Sequence, residues 1–259
     1  MKTNHKSNVI ALYDWEGSFA FPDWLAIAQD LFVRCDVRPD KAKWGTSTDS
    51  EKEVSFEHLI EKSCQPSSRE SVKVAGAMCT RPGFKQIALG WNAQCSFHDW
   101  KNRTSVFCWA DSLWALDAQE VEALILAARQ SLTGAYGIVY QRDFQKGPDM
   151  YAYGMSAGLG YSAVDMREAN EIGAWMQERM GDKRYLTGML RDVYPMNILT
   201  QRQLDFKVDN MSLVDWITQE SWRGGLTDVS ESGGIWIVDS QYLAQVRASL
   251  RNRGVLIVG

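Results

Sequence analysis

Thr104-Ser-Val-Phe-Cys-Trp-Ala110, Asp117-Ala-Gln-Glu-Val-Glu-Ala-Leu-Ile-Leu-Ala-Ala-Arg-Gln-Ser-Leu-Thr-Gly134 and Tyr136-Gly-Ile-Val-Tyr140 follow one another in the chain, and their order decides the fold class. The first and last are rich in β-branched and aromatic residues, which suit a pleated, half-buried surface. Between them Val121, Leu124, Ile125, Ala128 and Leu132 recur at helical spacing and form one apolar stripe. Asp117 supplies an N-cap and Gly134 a stop. A helix flanked by strands has to bury its stripe on their sheet.

Upstream, Ser71–Met78 and Lys85–Trp91 read as two more strands, separated by Arg81-Pro-Gly83. With Thr104–Ala110, entered through the polar segment His98–Arg103, they make an antiparallel meander, since short links join antiparallel neighbours. Val9–Tyr13 is a further strand, and Pro22-Asp23 opens a helix with Leu25, Ala28, Leu31 and Phe32 on one face. From Lys41 to Glu70 the composition turns polar. This is the least core-like part of the chain, with a short helix over Phe56–Lys62, and reads as a mobile segment or an insertion.

Downstream, Met150–Met155 reads as a strand, and Ser162-x-x-Asp165 as the start of a helix carrying Ala169, Ile172, Trp175, Met176 and Met180 inward. Arg191–Leu199 is extended, because Pro195 drives Tyr194 out of helical conformation. Ser212-x-x-Asp215 opens a short helix, Ile235–Val238 is a strand, Ser240–Asn252 a helix and Val255–Val258 a last strand. The class is α+β, with mixed, largely antiparallel sheets and packed amphipathic helices. A boundary at Lys146-Gly-Pro-Asp149 would give two similar α+β halves, 1–146 and 147–259. One continuous domain fits the pattern equally well.

The 259 residues include 11 tryptophans and nine each of tyrosine and phenylalanine, with a net charge of −4. That charge argues against the broad basic footprint of a nucleic-acid binder and favours a basic partner. Cys35, Cys64, Cys79, Cys95 and Cys108 contain no C-x-x-C pair, so they read as reduced thiols in a cytoplasmic protein. Neither a signal peptide nor a membrane span is legible.

Gly154-Met-Ser-Ala-Gly158 spells the G-x-S-x-G of a nucleophile elbow, which would make Ser156 the nucleophile of a serine hydrolase. A serine hydroxyl needs a histidine base, and in that fold the histidine follows the serine. Here His5, His58 and His98 all precede it. Gly154, Gly158 and Gly160 then serve a tight strand exit or a close backbone approach. The same run lacks the Lys-Ser or Lys-Thr of a phosphate loop, and His58 and His98 lack the spaced partners of a metal site, so no cofactor or metal is implied. Arg191-Asp192 reads as a structural ion pair or a polar site. Between Ser212 and Ser232, Asp215, Glu220, Asp228 and Glu231 surround Trp216 and Trp222 with the one cation Arg223. Acids around aromatic rings suit a cationic protein surface, and these six acids and tryptophans are the candidate partner-binding residues.

Tyr136-Gly-Ile-Val-Tyr140, Gly147-Pro-Asp-Met-Tyr151, Gly158-Leu-Gly-Tyr161 and Leu190-Arg-Asp-Val-Tyr-Pro-Met-Asn-Ile-Leu199 resemble a family of bacterial immunity proteins encoded beside polymorphic toxins. Those toxins include restriction-endonuclease-type nucleases delivered by type VI secretion. Gly224-Gly-Leu226, Gly234-Ile-Trp236 and the closing Val246-Arg-Ala-Ser-Leu250 with Gly254-Val-Leu256 fit the same likeness, which runs from about Leu116 to the C-terminus. The resemblance implies a non-enzymatic inhibitor that binds a cognate toxin in the cytoplasm, touches no nucleic acid or membrane itself, and has no catalytic residues. A serine hydrolase using Ser156 and an adaptor with another partner are the alternatives.

Overall fold

β1 (Lys6–Tyr13) runs through the middle of an open sheet, and all its residues but Lys6 are buried. The computed structural model describes residues 6–17, 21–47, 50–65, 72–81, 90–99, 102–115, 117–131, 134–156, 166–230 and 232–258. The remaining strands of the sheet are β2 (Lys41–Gly45), β3 (Lys52–Val54), β4 (Val74–Thr80), β5 (Trp91–His98), β6 (Thr104–Ala110), β7 (Tyr136–Asp143), β8 (Met196–Leu199), β11 (Gly225–Ser230) and β12 (Gly233–Ile237). Their order is β11-β12-β8-β7-β1-β6-β5-β4-β2-β3, every neighbouring pair antiparallel. β9 (Lys207–Val208) and β10 (Met211–Ser212) form a separate hairpin. With eight helices among the described residues, the fold is α+β. Strands from both sides of Lys146 share the large sheet.

Because strand side chains alternate between faces, β1 feeds two cores. Ile10 and Leu12 join the first, beneath α1 (Phe21–Arg34), α2 (Phe56–Ser63) and α3 (Ala118–Ser131), where Trp24, Leu31, Leu124 and Ile125 are buried. Val9, Ala11 and Tyr13 join the second. That core lies beneath α4 (Pro148–Tyr153), α5 (Met166–Met180), α7 (Leu213–Thr218) and α8 (Leu243–Arg251), and α6 (Gln201–Asp205) adds Leu204 to it. Asp117 caps α3 as its sequence requires, its Oδ1 accepting from the amides of Gln119 and Glu120 at 2.9 and 3.0 Å. Ser212 does the same for α7, accepting from the Asp215 amide. No two cysteines are bonded, and among the described residues no helix is long and apolar enough to cross a membrane.

Three expectations change. The described residues of 41–63 are not loose: they supply β2, β3 and α2, with Ala42, Phe56 and Leu59 in the first core. The strand expected over Lys85–Trp91 lies mostly outside the described residues, whereas β5 begins at Trp91 and extends to His98. Ala93, Cys95 and Phe97 face the first core, Trp91 joins the second across a register shift, and Asn92, Gln94, Ser96 and His98 are the less buried residues. At the C-terminus Leu256 forms only a parallel bridge to Leu190, with the Ile257 and Val258 amides donating to the carbonyls of Leu190 and Arg191 at 2.8 and 3.0 Å.

Candidate functional site

A fourth correction sets up the site. Met150–Tyr153 is not a strand but part of α4, and Gly154 is its left-handed cap at φ 77°. Pro148 at the first position and Asp149 in the first turn start a helix after Gly147. Six residues cannot hold a helix by their own bonds, and three of its carbonyl oxygens gain side-chain donors from elsewhere in the fold. Tyr140 Oη donates to Pro148 O at 2.6 Å. Tyr13 Oη and Trp175 Nε1 both donate to Ala152 O, at 2.9 and 3.1 Å. Arg191 Nη2 donates to Tyr151 O at 2.9 Å.

Arg191 is fully buried, at 0 % exposure. Its guanidinium carbon sits 4.1 Å from the centre of the Tyr151 ring and 4.8 Å from that of Trp175. The Tyr136 hydroxyl accepts from its backbone amide at 2.9 Å. A cation at a helix C-terminus interacts favourably with the carbonyl end of the helix dipole, and ring faces add cation–π attraction. Asp192 is not its partner: that carboxylate accepts from Arg247 Nε at 2.8 Å, while Arg247 Nη2 reaches Val193 O at 2.7 Å. The Arg-Asp dipeptide is therefore split between two structural tasks, seating α4 and holding the 192–193 turn to α8.

Gly154 also permits the close approach of α4 to α5, since a Cβ there would lie 2.8 Å from the Met176 amide nitrogen. Gly154→Ala should cost about 1–3 kcal/mol, through positive φ and overlap together; equilibrium urea unfolding reads it, and an unchanged midpoint would remove this role. Ser156 is exposed and follows a helix, where an elbow serine follows a strand. Ala157, Gly158, Gly160 and the expected helix start at Ser162–Asp165 lie outside the described residues, as does His5. His58 is exposed on α2, 3.8 Å from Glu61.

The acidic tryptophan segment is brought together only in part. Trp216 is 1 % exposed and belongs to the second core. Arg223 covers it, with its guanidinium carbon 4.3 Å from the Trp216 ring centre and 5.3 Å from that of the half-buried Trp222. Asp215 and Glu220 are exposed beside them, whereas the side chain of Asp228 and all of Glu231 lie outside the described residues.

A feature missed in the sequence lies on the α4 side of the sheet. Register sets Lys43, Gly76 and Ser96 in one cross-strand row leading to Val106, and Lys41, Met78 and Gln94 in the next, leading to Cys108. Val106 and Cys108 are buried in the second core, but from β5 outward this face carries Gln94, Ser96, Lys41 and Lys43 around Gly76 and Met78. The result is a groove of about 490 Å³, walled on one side by Asp149 and Tyr153 of α4. Ser96 Oγ and Tyr153 Oη are hydrogen-bonded at 2.7 Å, and His98 meets the Tyr153 ring edge-on at 5.6 Å. Burial holds His98 neutral, its pKa lowered to about 4, with Lys43 and Arg179 pushing the same way. Burial raises the Asp149 carboxyl, offset in part by the Gln94 amide and the helix amides. The signal was the strict alternation of β5. A depression of about 540 Å³ at the other end of β1 is lined by Asp14, Glu16 and Tyr136, among others. Its acids are already met: Asp14 by Lys183 at 3.3 Å and the Tyr185 hydroxyl, Glu16 by Arg202 at 3.3 Å.

No protein-family model matches the chain, and no curated protein matches it in sequence. Among solved structures it is similar to one titled Pseudomonas aeruginosa T6SS protein PA0821, with a TM-score of 0.60 and 8% identity. The match covers 98% of this chain and 74% of that one. At that identity the likeness is one of fold.

Proposed function

We propose that this protein is a non-enzymatic immunity protein that binds and neutralises a cognate bacterial toxin, a nuclease effector of type VI secretion. The observation that carries the reading is a convergence of independent likenesses. The motifs from Leu116 onward resemble immunity proteins of this kind, and the fold is shared along 98% of the chain with a protein whose title places it in the type VI system. The net charge of −4 agrees with both. A nuclease needs a basic cleft for phosphates, and an acidic protein laid over that cleft excludes the nucleic acid. Charge complementarity speeds encounter, while buried rings and paired charges slow release. Such an inhibitor acts in the compartment that holds the DNA, which places it in the cytoplasm.

The test is co-expression with the toxin encoded by the adjacent reading frame. Cells should survive toxin induction only when this protein is present, and the two purified proteins should co-elute. Their association rate should fall as salt rises. A protein that neither binds that toxin nor protects the cells would refute the reading.

A further inference from the structure

Buried carboxylates in this chain come with a base. Asp99 and Asp192 have side chains 8% exposed and pair with Lys73 and Arg247, each at 2.8 Å. Glu178, at 7%, pairs with Arg184, and Glu168, at 14%, with Arg142 and Lys146. Asp149 departs from this rule. Its Oδ1 is buried and has no hydrogen-bond partner, and among the described residues it makes no ion pair. Of the two lysines that line the groove, neither pairs with Asp149: Lys43 Nζ lies on Glu51 Oε2 at 2.5 Å with its stem over Gly76, and Lys41 makes no ion pair among the described residues.

We propose that the groove between α4 and the open face of β5, β4 and β2 receives a basic side chain, lysine or arginine, from the partner protein, seated on the Asp149 carboxylate. The inference rests on the immunity reading for its partner, and deepens it by naming where a basic toxin surface is held. Three features of the groove fit that guest. Its volume of about 490 Å³ admits one long side chain with its flanking backbone. The Ser96–Tyr153 hydroxyl pair offers lone pairs beside the acid, and the Gln94 carbonyl oxygen can accept further N–H groups. The neutral His98 adds no competing charge. A charge-assisted bond to an incoming cation would compensate a carboxylate that burial has left without one, which makes the site selective for cations over neutral groups of equal size.

The probe is N-acetyl-argininamide, titrated at low salt into isotope-labelled protein and followed by ¹H–¹⁵N shifts, with N-acetyl-lysinamide and the uncharged N-acetyl-citrullinamide alongside. The two cations should produce saturable shifts at Gly76, Ser96 and Tyr153, and citrulline should bind roughly tenfold more weakly, the scale of one charged hydrogen bond. Asp149→Asn should bring argininamide down to the citrulline level. Equal binding of the charged and uncharged probes by the unaltered protein would overturn the proposal without any variant, and so would argininamide affinity unchanged in Asp149→Asn. In cells, an unaltered protein that fails to protect refutes the immunity reading and leaves the groove result standing. Protection and toxin affinity both unchanged in Asp149→Asn overturn this inference alone.

Discussion

Arg191→Ala should lower the unfolding free energy by about 3–5 kcal/mol, the range for truncating a large, fully buried side chain whose partners lose their bonds. For a chain of this size that is a fall in melting temperature on the order of 10 °C. The loss has two sources: the void left between the Tyr151 and Trp175 rings, and the Tyr151 carbonyl reduced to its bond from the Gly154 amide at 3.1 Å. Arg191→Met keeps most of the volume and loses the donors, so about half the effect should remain. Arg191→Lys keeps the charge but not the planar fork, and should also fall between. Because α4 carries both Tyr151 and Asp149, the alanine variant should weaken argininamide binding even where it is folded. A loss below about 1 kcal/mol in equilibrium unfolding would show that Arg191 does not hold the helix.

The second large effect is on acid stability and originates at His98. Its pKa is 6.5 when exposed and about 4 in the fold, so between these values the unfolded chain binds a proton that the folded chain does not. Stability therefore rises with pH in that window. His98 costs nothing above pH 6.5, and a penalty builds as pH falls to about 4, reaching about 3 kcal/mol. Asp149 works in the opposite sense. Its folded pKa lies above the ordinary 3.8, so its penalty is present at neutral pH and disappears on acidification. Lys43, Glu51, Arg179 and Tyr153 also face this imidazole, and Lys43 and Arg179 reinforce its neutrality while Glu51 opposes it. Denaturant unfolding of unaltered protein and His98→Asn at pH 7 and pH 4.5 reads the difference. The variant should be the flatter of the two, and parallel losses would rule out a neutral, buried His98.

The contrast between α3 and α4 explains which elements could be read in the chain. α3 has everything locally: a stripe at Val121, Leu124, Ile125 and Ala128, a cap at Asp117 and a stop at Gly134. α4 spells Met150-Tyr-Ala-Tyr153, an alternation that imitates a strand. Its helical state depends on donors at Tyr13, Tyr140, Trp175 and Arg191, the most distant 139 residues away in the chain. The reading of Gly154 as a strand exit misled for the same reason, since that glycine ends the helix. Arg191 and Asp192 were conspicuous as a pair but have different partners, and no spacing announces a bond 55 residues long to Arg247.

By itself the sequence determined the α+β class, the central strands Val9–Tyr13 and Tyr136–Tyr140, and the capped helices, because hydrophobic period and cap chemistry act over a few residues. The tertiary structure alone decided that β2 and β3 would extend the sheet, that α4 would be a helix, and that Asp149 would line a groove with no ion pair of its own among the described residues. Strand pairing and buried charge are settled by residues far apart in the chain, and only the folded chain brings those residues within bonding distance.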